Sequence, residues 1–151
     1  MLVHTTTAEE TEAFGARLAG ARPDGGFTVI YLVGDLGAGK TTLTRGFLHA
    51  LGVVGAVRSP TYTLLEIYET GTLTALHLDL YRLSDPGELD NLGLREWARE
   101  GHVWLVEWPQ KGAGRLPEAD LVVRLSAGDR VHDIEVSART PGGESWLARL
   151  G

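Results

Sequence analysis

Apolar residues recur along this chain at two spacings, one typical of strands and the other typical of helices. Four short runs combine apolar, β-branched and aromatic residues in the manner of strands. These runs are residues 27–33, 62–68, 72–79 and 102–107. Because segments with helical spacing lie between and around them, the pattern predicts an α/β fold.

Helices are predicted on both sides of the first run. Residues 7–10 form a capping box, and the helix that follows ends before residue 22. A second helix is predicted over residues 41–51, and Gly52 ends it. The apolar face of the first helix comprises Phe14, Leu18 and Ala21.

Helical signals return in the second half of the chain. Ser84 or Asp85 is expected to cap a helix that runs to Trp97, and Gly93 divides this helix into two short ones. Residues 143–150 predict a short helix near the end of the sequence.

The strand runs differ in the pairing that they predict. Residues 69–71 form a predicted hairpin turn, so the second and third runs should pair antiparallel. The fourth run is almost continuously apolar, as expected of a strand buried on both faces of a sheet. Residues 121–125 and 131–138 predict a further hairpin at a sheet edge. We therefore expect a single domain, residues 1–151, with a sheet of mixed parallel and antiparallel strands flanked by helices.

Composition adds several exclusions. The 151 residues contain no cysteine, which excludes disulfides, thiolate zinc sites and thiol catalysis and agrees with a cytoplasmic location. The first residues lack the pattern of a signal peptide, and no apolar run is long enough to cross a bilayer. A net charge of −6 disfavours unaided binding to RNA or DNA. We expect no membrane or DNA partner, and contact with RNA only through another protein.

Residues 34–41 match the phosphate-binding pattern G-x-x-x-x-G-K-[ST] at every fixed position. A strand run precedes the match and a helical pattern follows it, which is the context that this loop requires. The glycines allow backbone N–H groups to face a phosphate, Lys40 adds a positive charge, and the Thr41 hydroxyl can bind Mg²⁺. The loop therefore predicts a nucleoside triphosphate as ligand.

Two acidic residues end strand runs, Asp79 after the third run and Glu107 after the fourth. Ligands of open α/β sheets bind beyond the carboxyl ends of the strands, where the phosphate loop also opens. Both acids are thus expected to face Mg²⁺ or the attacking water. The run of apolar residues before Glu107 favours this residue as the metal-binding acid. A structural cap of a loop is the alternative for each of them.

Three other features bear on the chemistry. Residues 59–63 carry three serine and threonine hydroxyl groups where nucleotide switches place a residue that senses the γ-phosphate, so Thr61 is a candidate sensor and a plain turn is the alternative. His77 shares the strand face of Asp79 and is expected to make a structural hydrogen bond. The guanine-reading sequence N-K-x-D does not occur, which favours ATP over GTP.

Four separated elements of the chain resemble those of the bacterial TsaE (YjeE) family. They are residues 34–42, 59–64, 77–82 and 106–108, and the similarity extends over nearly the whole sequence. The resemblance implies a Mg²⁺-dependent P-loop ATPase needed for the N6-threonylcarbamoyladenosine (t6A) modification of tRNA. It also implies TsaD and TsaB as protein partners, with tRNA met through their complex. The ATPase would support or reset threonylcarbamoyl transfer by TsaD and TsaB.

The resemblance further implies roles for single residues. Thr41 and Glu107 would bind Mg²⁺, and Asp79 would serve hydrolysis. With Lys40 of the loop and the candidate sensor Thr61, which local sequence alone suggests, Asp79 completes the predicted catalytic residues. The triphosphate would be held by Leu36, Gly37, Ala38, Gly39, Lys40 and Thr41. Further contacts with the nucleotide would come from Ala8, Arg130 and Trp108.

Our leading hypothesis is an ATPase that is slow alone and faster when partners order residues 59–64. One alternative is a small-molecule kinase, which needs an arginine-bearing lid over the phosphates. Residues 110–115 are the only lid-like candidate in the sequence. A second alternative is a nucleotide-gated binding module with negligible hydrolysis.

Overall fold

The computed structural model of the chain describes residues 1–60 and 62–151. The strands are β1 (Leu2–Thr5), β2 (Phe27–Val33), β3 (Leu65–Glu69), β4 (Thr74–Asp79), β5 (His102–Glu107), β6 (Leu121–Ala127) and β7 (His132–Ala138). The α-helices are α1 (Ala8–Gly20), α2 (Lys40–Ala50) and α3 (Pro141–Leu150). Short 3₁₀ helices span Pro86–Leu92, Leu94–Trp97 and Pro109–Gly112.

The strands form one mixed sheet in the order β1-β7-β6-β2-β5-β4-β3. The four central strands, β6, β2, β5 and β4, run parallel to their neighbours in this group. The outer strands β1, β7 and β3 pair antiparallel. The predicted α/β fold with a mixed sheet flanked by helices is therefore confirmed. Because β2, β4 and β5 are parallel, their carboxyl ends meet at one edge of the sheet.

Apolar side chains cover both faces of the sheet. The three α-helices bury one face, with Phe14, Phe47 and Trp146 packed on residues of the central strands. The 3₁₀ helices bury the other face, where Leu89 and Leu94 belong to the same cluster as side chains of β4 and β5. Since successive strand residues point to opposite faces, central strands covered on both sides are apolar at nearly every position.

Helices α1 and α2 cross at very short range because each carries a glycine at the contact. A Cβ atom added at Gly15 would overlap the carbonyl oxygen of Leu43, and one added at Gly46 would overlap that of Glu12. This crossing holds α2, whose first turn follows the phosphate loop, against the body of the protein.

Several predicted elements differ from those in the structure. The predicted edge hairpin, β6 and β7, lies inside the sheet because β1 pairs with β7. A run of only four residues is too short for periodicity to reveal β1. The strand predicted over residues 62–68 begins at Leu65. The predicted division at Gly93 into two short helices is confirmed, but both are 3₁₀ helices, because the glycine and proline content of this stretch disfavours an α-helix.

Within residues 1–60 and 62–151, none of the helices has both the length and the apolar character needed to cross a membrane.

Candidate nucleotide-binding site

A cleft of about 410 Å³ opens at the carboxyl ends of β2, β4 and β5. Five of the predicted phosphate-binding residues line it: Leu36, Gly37, Gly39, Lys40 and Thr41. The predicted acids and the predicted tryptophan line the same cleft: Asp79, Glu107 and Trp108. Residues that lie far apart in sequence thus converge at the edge of the sheet where α2 begins.

The phosphate loop depends on its glycines for its shape. Gly37 and Gly39 have φ angles of 80° and 105°, a region that other residues rarely adopt. At Gly34, a Cβ atom would lie 2.5 Å from the carbonyl oxygen of Leu125 on β6. The loop leads directly into α2, so unpaired N–H groups of the first helical turn lie at the cleft. Such a helix start binds anions, and phosphate above all.

Lys40 is a cation held inside the loop. Its side chain donates a hydrogen bond from Nζ to the carbonyl oxygen of Gly34, and Nζ lies 4.1 Å from the centre of the Trp108 ring. The residue is only 5% exposed. Burial lowers the pKa of Lys40, while the charges of Glu107 and Asp79 act in the opposite direction. The loop therefore presents a partly desolvated positive charge, which favours an anionic ligand.

The two acids lie side by side. Asp79 and Glu107 are register partners on the parallel strands β4 and β5, and both are buried. Asp79 accepts a hydrogen bond of 2.9 Å from the Ser59 hydroxyl to Oδ2 and one of 3.1 Å from the backbone N–H of Tyr81 to Oδ1. The second contact is the structural cap considered for Asp79, and it coexists with a position in the cleft.

Glu107 contacts the neighbouring strand through His77. Nε2 of His77 lies 2.6 Å from Oε2 of Glu107, and both side chains are buried. The hydrogen-bonding role expected of His77 is therefore confirmed. Glu107 also lines the cleft, so the same side chain is bonded to this histidine and accessible to a ligand.

Aromatic and cationic side chains surround the acids. Trp108 follows Glu107 with a φ of 56°, a left-handed conformation that costs a non-glycine residue about 1–2 kcal/mol. Its ring centre lies 5.1 Å from that of Tyr81. The guanidinium carbon of Arg82 lies 4.9 Å from the centre of the Tyr62 ring. Backbone strain of this kind is typical of functional sites, and here it carries the ring that contacts Lys40.

Other predicted site residues lie apart from the cleft or cannot be placed. Thr61 lies outside the described residues, so its sensing role stays a prediction. Ala8 begins α1 and Arg130 lies in the turn between β6 and β7, both exposed. Among the described residues neither lines the cleft, and their contact with adenine stays a prediction. Ala38 is buried, and its carbonyl oxygen accepts a hydrogen bond of 3.1 Å from Nδ1 of His132.

Two residues of the site carried no clear signal in the sequence. Ser59 stood out only as one of three neighbouring serine and threonine hydroxyl groups, and its bond to Asp79 spans 20 positions. His132 reaches the phosphate loop from β7, a distance of 94 positions along the chain. A sequence pattern reports local spacing, so contacts of this range emerge only from the fold.

The donor groups suit a hard cation such as Mg²⁺. In the part of the chain that the structure describes, no three His, Cys, Asp or Glu side chains form a ready metal cage. Mg²⁺ in nucleotide sites needs no such cage, because phosphates and water supply most of its ligands beside one or two protein oxygens. The Thr41 hydroxyl and the Glu107 carboxylate, both lining the cleft, could supply these oxygens.

Comparisons with known proteins agree on one family. A family model described as "Threonylcarbamoyl adenosine biosynthesis protein TsaE" matches residues 5–134. The tRNA threonylcarbamoyladenosine biosynthesis protein TsaE of Haemophilus influenzae is 49% identical over 120 residues, covering 80% of this chain and 76% of the relative. The protein of the same name from Bacillus subtilis is 42% identical over 135 residues, covering 89% and 83%.

A solved structure leads to the same family. The crystal structure of Bacillus subtilis YdiB superposes with a TM-score of 0.82 at 35% sequence identity, covering 99% of this chain and 93% of that one. The family model and the relatives together span the phosphate loop, both acids and most of the sheet. The chain therefore belongs to the TsaE family of tRNA threonylcarbamoyladenosine biosynthesis proteins.

Proposed function

We propose that the chain is a Mg²⁺-dependent ATPase that supports or resets the threonylcarbamoyl transferase formed by TsaD and TsaB. One observation carries the proposal: Lys40, Thr41, Asp79 and Glu107 converge in one cleft at the start of α2. A cation, a hydroxyl and two carboxylates at a helix N-terminus are the groups that binding and hydrolysis of ATP require.

In this proposal the loop and α2 bind the triphosphate. Backbone N–H groups of residues 36–41 and the ammonium group of Lys40 contact the phosphates. The Thr41 hydroxyl and the Glu107 carboxylate would hold Mg²⁺, which would offset the negative charge of the phosphates. Trp108 supports Lys40 through its ring face, at the distance of a cation–π contact.

Asp79 is the residue proposed to serve hydrolysis. Its two oxygens are oriented by Ser59 and by the N–H of Tyr81, so its rotamer is fixed at the cleft. Asp79 orients a water molecule whose oxygen forms a bond to the γ-phosphorus. The bond from this phosphorus to the β,γ-bridging oxygen breaks, ADP leaves with that oxygen, and the water's proton passes to Asp79 and on to solvent.

The link between Ser59 and Asp79 explains how partners could control the rate. Ser59 begins the segment 59–64 and donates directly to the catalytic acid. A partner that rearranges this segment changes the position of Asp79, so turnover rises in the assembled complex. Hydrolysis then resets the complex between rounds of transfer. With a net charge of −6, the chain meets tRNA in the cytoplasm through TsaD and TsaB.

The kinase alternative finds less support in the fold. Its lid candidate, residues 110–115, is tied to the body of the protein. Gly112 is buried, with a Cβ position only 2.8 Å from a methyl carbon of Leu80. Arg115 pairs with Asp90 at 3.4 Å. An arginine-bearing lid must close over the phosphates, and the packing of Gly112 opposes such a movement of this segment.

Phosphate release from Mg-ATP by the purified chain, alone and with TsaB and TsaD, tests the proposal. We expect the chain to release phosphate slowly alone and faster with both partners. Lys40→Ala should release no phosphate in either mixture. Asp79→Asn should still bind ATP but lose hydrolysis and t6A formation. Full t6A formation by Asp79→Asn would instead indicate the nucleotide-gated binding module. Transfer of labelled γ-phosphate to a metabolite would indicate the kinase.

A further inference from the structure

The carboxylate of Glu107 is held from the neighbouring strand. Among the described residues, its side chain has one hydrogen-bond partner, His77, with 2.6 Å between Nε2 and Oε2. The His77 side chain has no exposed surface, and that of Glu107 is 4% exposed. Because an ionised carboxylate can only accept hydrogen bonds, Nε2 of His77 carries the proton and donates it.

His77 reaches Glu107 from behind the site. The register of β4 and β5 pairs Asp79 with Glu107 and His77 with Leu105, so His77 lies one side-chain repeat further from the strand ends. Glu107 lines the cleft, whereas His77 is completely buried. A bound nucleotide or metal therefore contacts Glu107 and not His77.

Packing alone gives no reason for a histidine at this position. Nδ1 of His77 is buried and has no hydrogen-bond partner in the described part of the chain. Burying an unpaired ring nitrogen is unfavourable, and an apolar side chain would avoid this cost. The neighbours Ala75 and Leu105 belong to the apolar core on the same face. The bond to Glu107 is what distinguishes histidine from such a residue.

We propose that His77 positions the carboxylate of Glu107 for the divalent cation that accompanies the nucleotide. Donation from Nε2 to Oε2 fixes the rotamer of Glu107 and leaves Oε1 for the metal or its water. Hydrogen bonds of this kind behind a ligating carboxylate commonly set metal affinity. The inference rests on the proposed function, because it requires Glu107 in the metal site.

The surrounding charges give this bond a second role. The negative charge of Glu107 acts on the ammonium group of Lys40, whose pKa it raises against the effect of burial. Without the donor from His77, the carboxylate can turn towards Lys40 and compete with the phosphates. The hydrogen bond from His77 thereby leaves the Glu107 carboxylate available to the cation and the Lys40 ammonium group available to the phosphates.

The direct test measures Mn²⁺ affinity, by the electron paramagnetic resonance of free Mn²⁺, with the protein saturated by a non-hydrolysable ATP analogue. His77→Phe keeps a flat ring and removes the donor, and we expect it to weaken Mn²⁺ binding about 10–100-fold. Analogue affinity in excess EDTA should fall by a much smaller factor, because only the competition between the freed carboxylate and the phosphates remains. His77→Gln retains an N–H donor at similar reach and should restore most of the Mn²⁺ affinity.

His102→Phe is the matched control. His102 is also buried, with an unpaired Nε2, but it begins β5 at the opposite end of the strand from Glu107. The same substitution there should leave Mn²⁺ affinity unaltered. Melting temperatures verify the fold of each variant. If His77→Phe does not fold, His77→Gln and His77→Asn are compared instead. Only the longer glutamine amide reaches Oε2 of Glu107, so His77→Gln should bind Mn²⁺ more tightly than His77→Asn.

Glu107→Gln separates failure of this inference from failure of the proposed function. Unchanged Mn²⁺ affinity in Glu107→Gln would show that Glu107 is not a metal ligand. The role inferred for His77 would then fail as well. Weaker binding in Glu107→Gln but not in His77→Phe would overturn only the role of His77. Adding His77→Phe to Glu107→Gln should cause no further loss, because His77 acts through the carboxylate. An independent further loss would mark His77 as a merely structural residue.

Discussion

At the scale of single residues, the proposed binding of ATP depends most directly on the charge of Lys40. Burial lowers the pKa of this lysine below the ordinary value of 10.5, and the neighbouring acids limit the effect. A bound phosphate favours the charged form, so the protonated lysine binds ATP better than the neutral one. If the chain binds ATP as proposed, its affinity for ATP is thereby coupled to proton uptake at alkaline pH.

We predict that ATP affinity falls as the pH rises through the lowered pKa of Lys40, and that the fall begins below the pH expected of an exposed lysine. The slope should approach about tenfold per pH unit, because one proton is taken up per ATP bound. Calorimetric titrations above pH 8, where the phosphates no longer titrate, measure this slope.

Lys40→Arg is the control for this prediction. Arginine stays charged throughout the accessible range, so the alkaline fall should disappear even if the absolute affinity is lower. The same fall in both proteins would assign it to another group.

The residues of the site were predictable to different degrees. Lys40 and Thr41 belong to a contiguous motif, and Asp79 and Glu107 follow apolar runs, so local sequence was enough to select them. Their convergence needed only the rule that parallel strands end at one edge. The partners of these residues come from other elements. The bond from His77 to Glu107 depends on strand register, which no local pattern contains.

At the scale of elements, the crossing of α1 and α2 positions the phosphate loop. Gly46 on α2 leaves no space for a methyl group, because the carbonyl oxygen of Glu12 on α1 occupies that position. Backbone atoms cannot rotate away as side chains can, so a larger residue must separate the helices. Since α2 begins at Lys40, such a displacement also moves the phosphate site.

Gly46→Ala should therefore destabilise the protein by about 1–3 kcal/mol, the usual cost of overpacking, and weaken ATP binding. Gly20→Ala is the matched control, since Gly20 also lies in a helix and a Cβ atom there meets nothing within 4 Å. This control should be neutral or stabilise the fold by up to about 1 kcal/mol. Urea denaturation of the three proteins provides the comparison. Equal stability of Gly46→Ala and the parent would contradict such a close crossing.

Element prediction succeeded where periodicity was long or turns were distinctive. Helix α1, strand β5 and the hairpin of β3 and β4 correspond to clear patterns of apolar residues and turns. Strand β1 was not predicted, because four residues are too few to show a hydrophobic period. Its pairing with β7 depends on the tertiary fold and leaves no local pattern in the sequence. The two 3₁₀ helices on either side of Gly93 were expected as ordinary helices, although Ser84 or Asp85 was recognisable as the cap at their start.

At the scale of the whole molecule, the cleft joins parts of the chain that lie far apart in the sequence. The loop before α2 lies between β2 and its helix, Asp79 and Glu107 end β4 and β5, and Ser59 precedes β3. The sheet brings these parts together, so a ligand in the cleft cross-links them. Mixed topology was predictable from hairpins and apolar runs, whereas the order of seven strands was not.

This arrangement predicts that Mg-ATP stabilises the entire domain. A ligand that binds only the folded chain adds about 2.7 kcal/mol at a concentration of 100 times its Kd. For a chain of 151 residues this corresponds to a rise in Tm of roughly 5–10 °C. Scanning calorimetry with a non-hydrolysable ATP analogue and Mg²⁺ measures the rise without turnover.

Two comparisons connect the rise in Tm to the site. Lys40→Ala should retain a cooperative transition without ligand and show a much smaller rise at the same analogue concentration. A GTP analogue should also give a smaller rise, because the chain lacks the guanine-reading sequence N-K-x-D. An equal rise in Lys40→Ala would locate the nucleotide away from the phosphate loop. Equal rises with both analogues would mean that the protein does not read the base, and the choice of ATP in the cell would then follow from nucleotide supply.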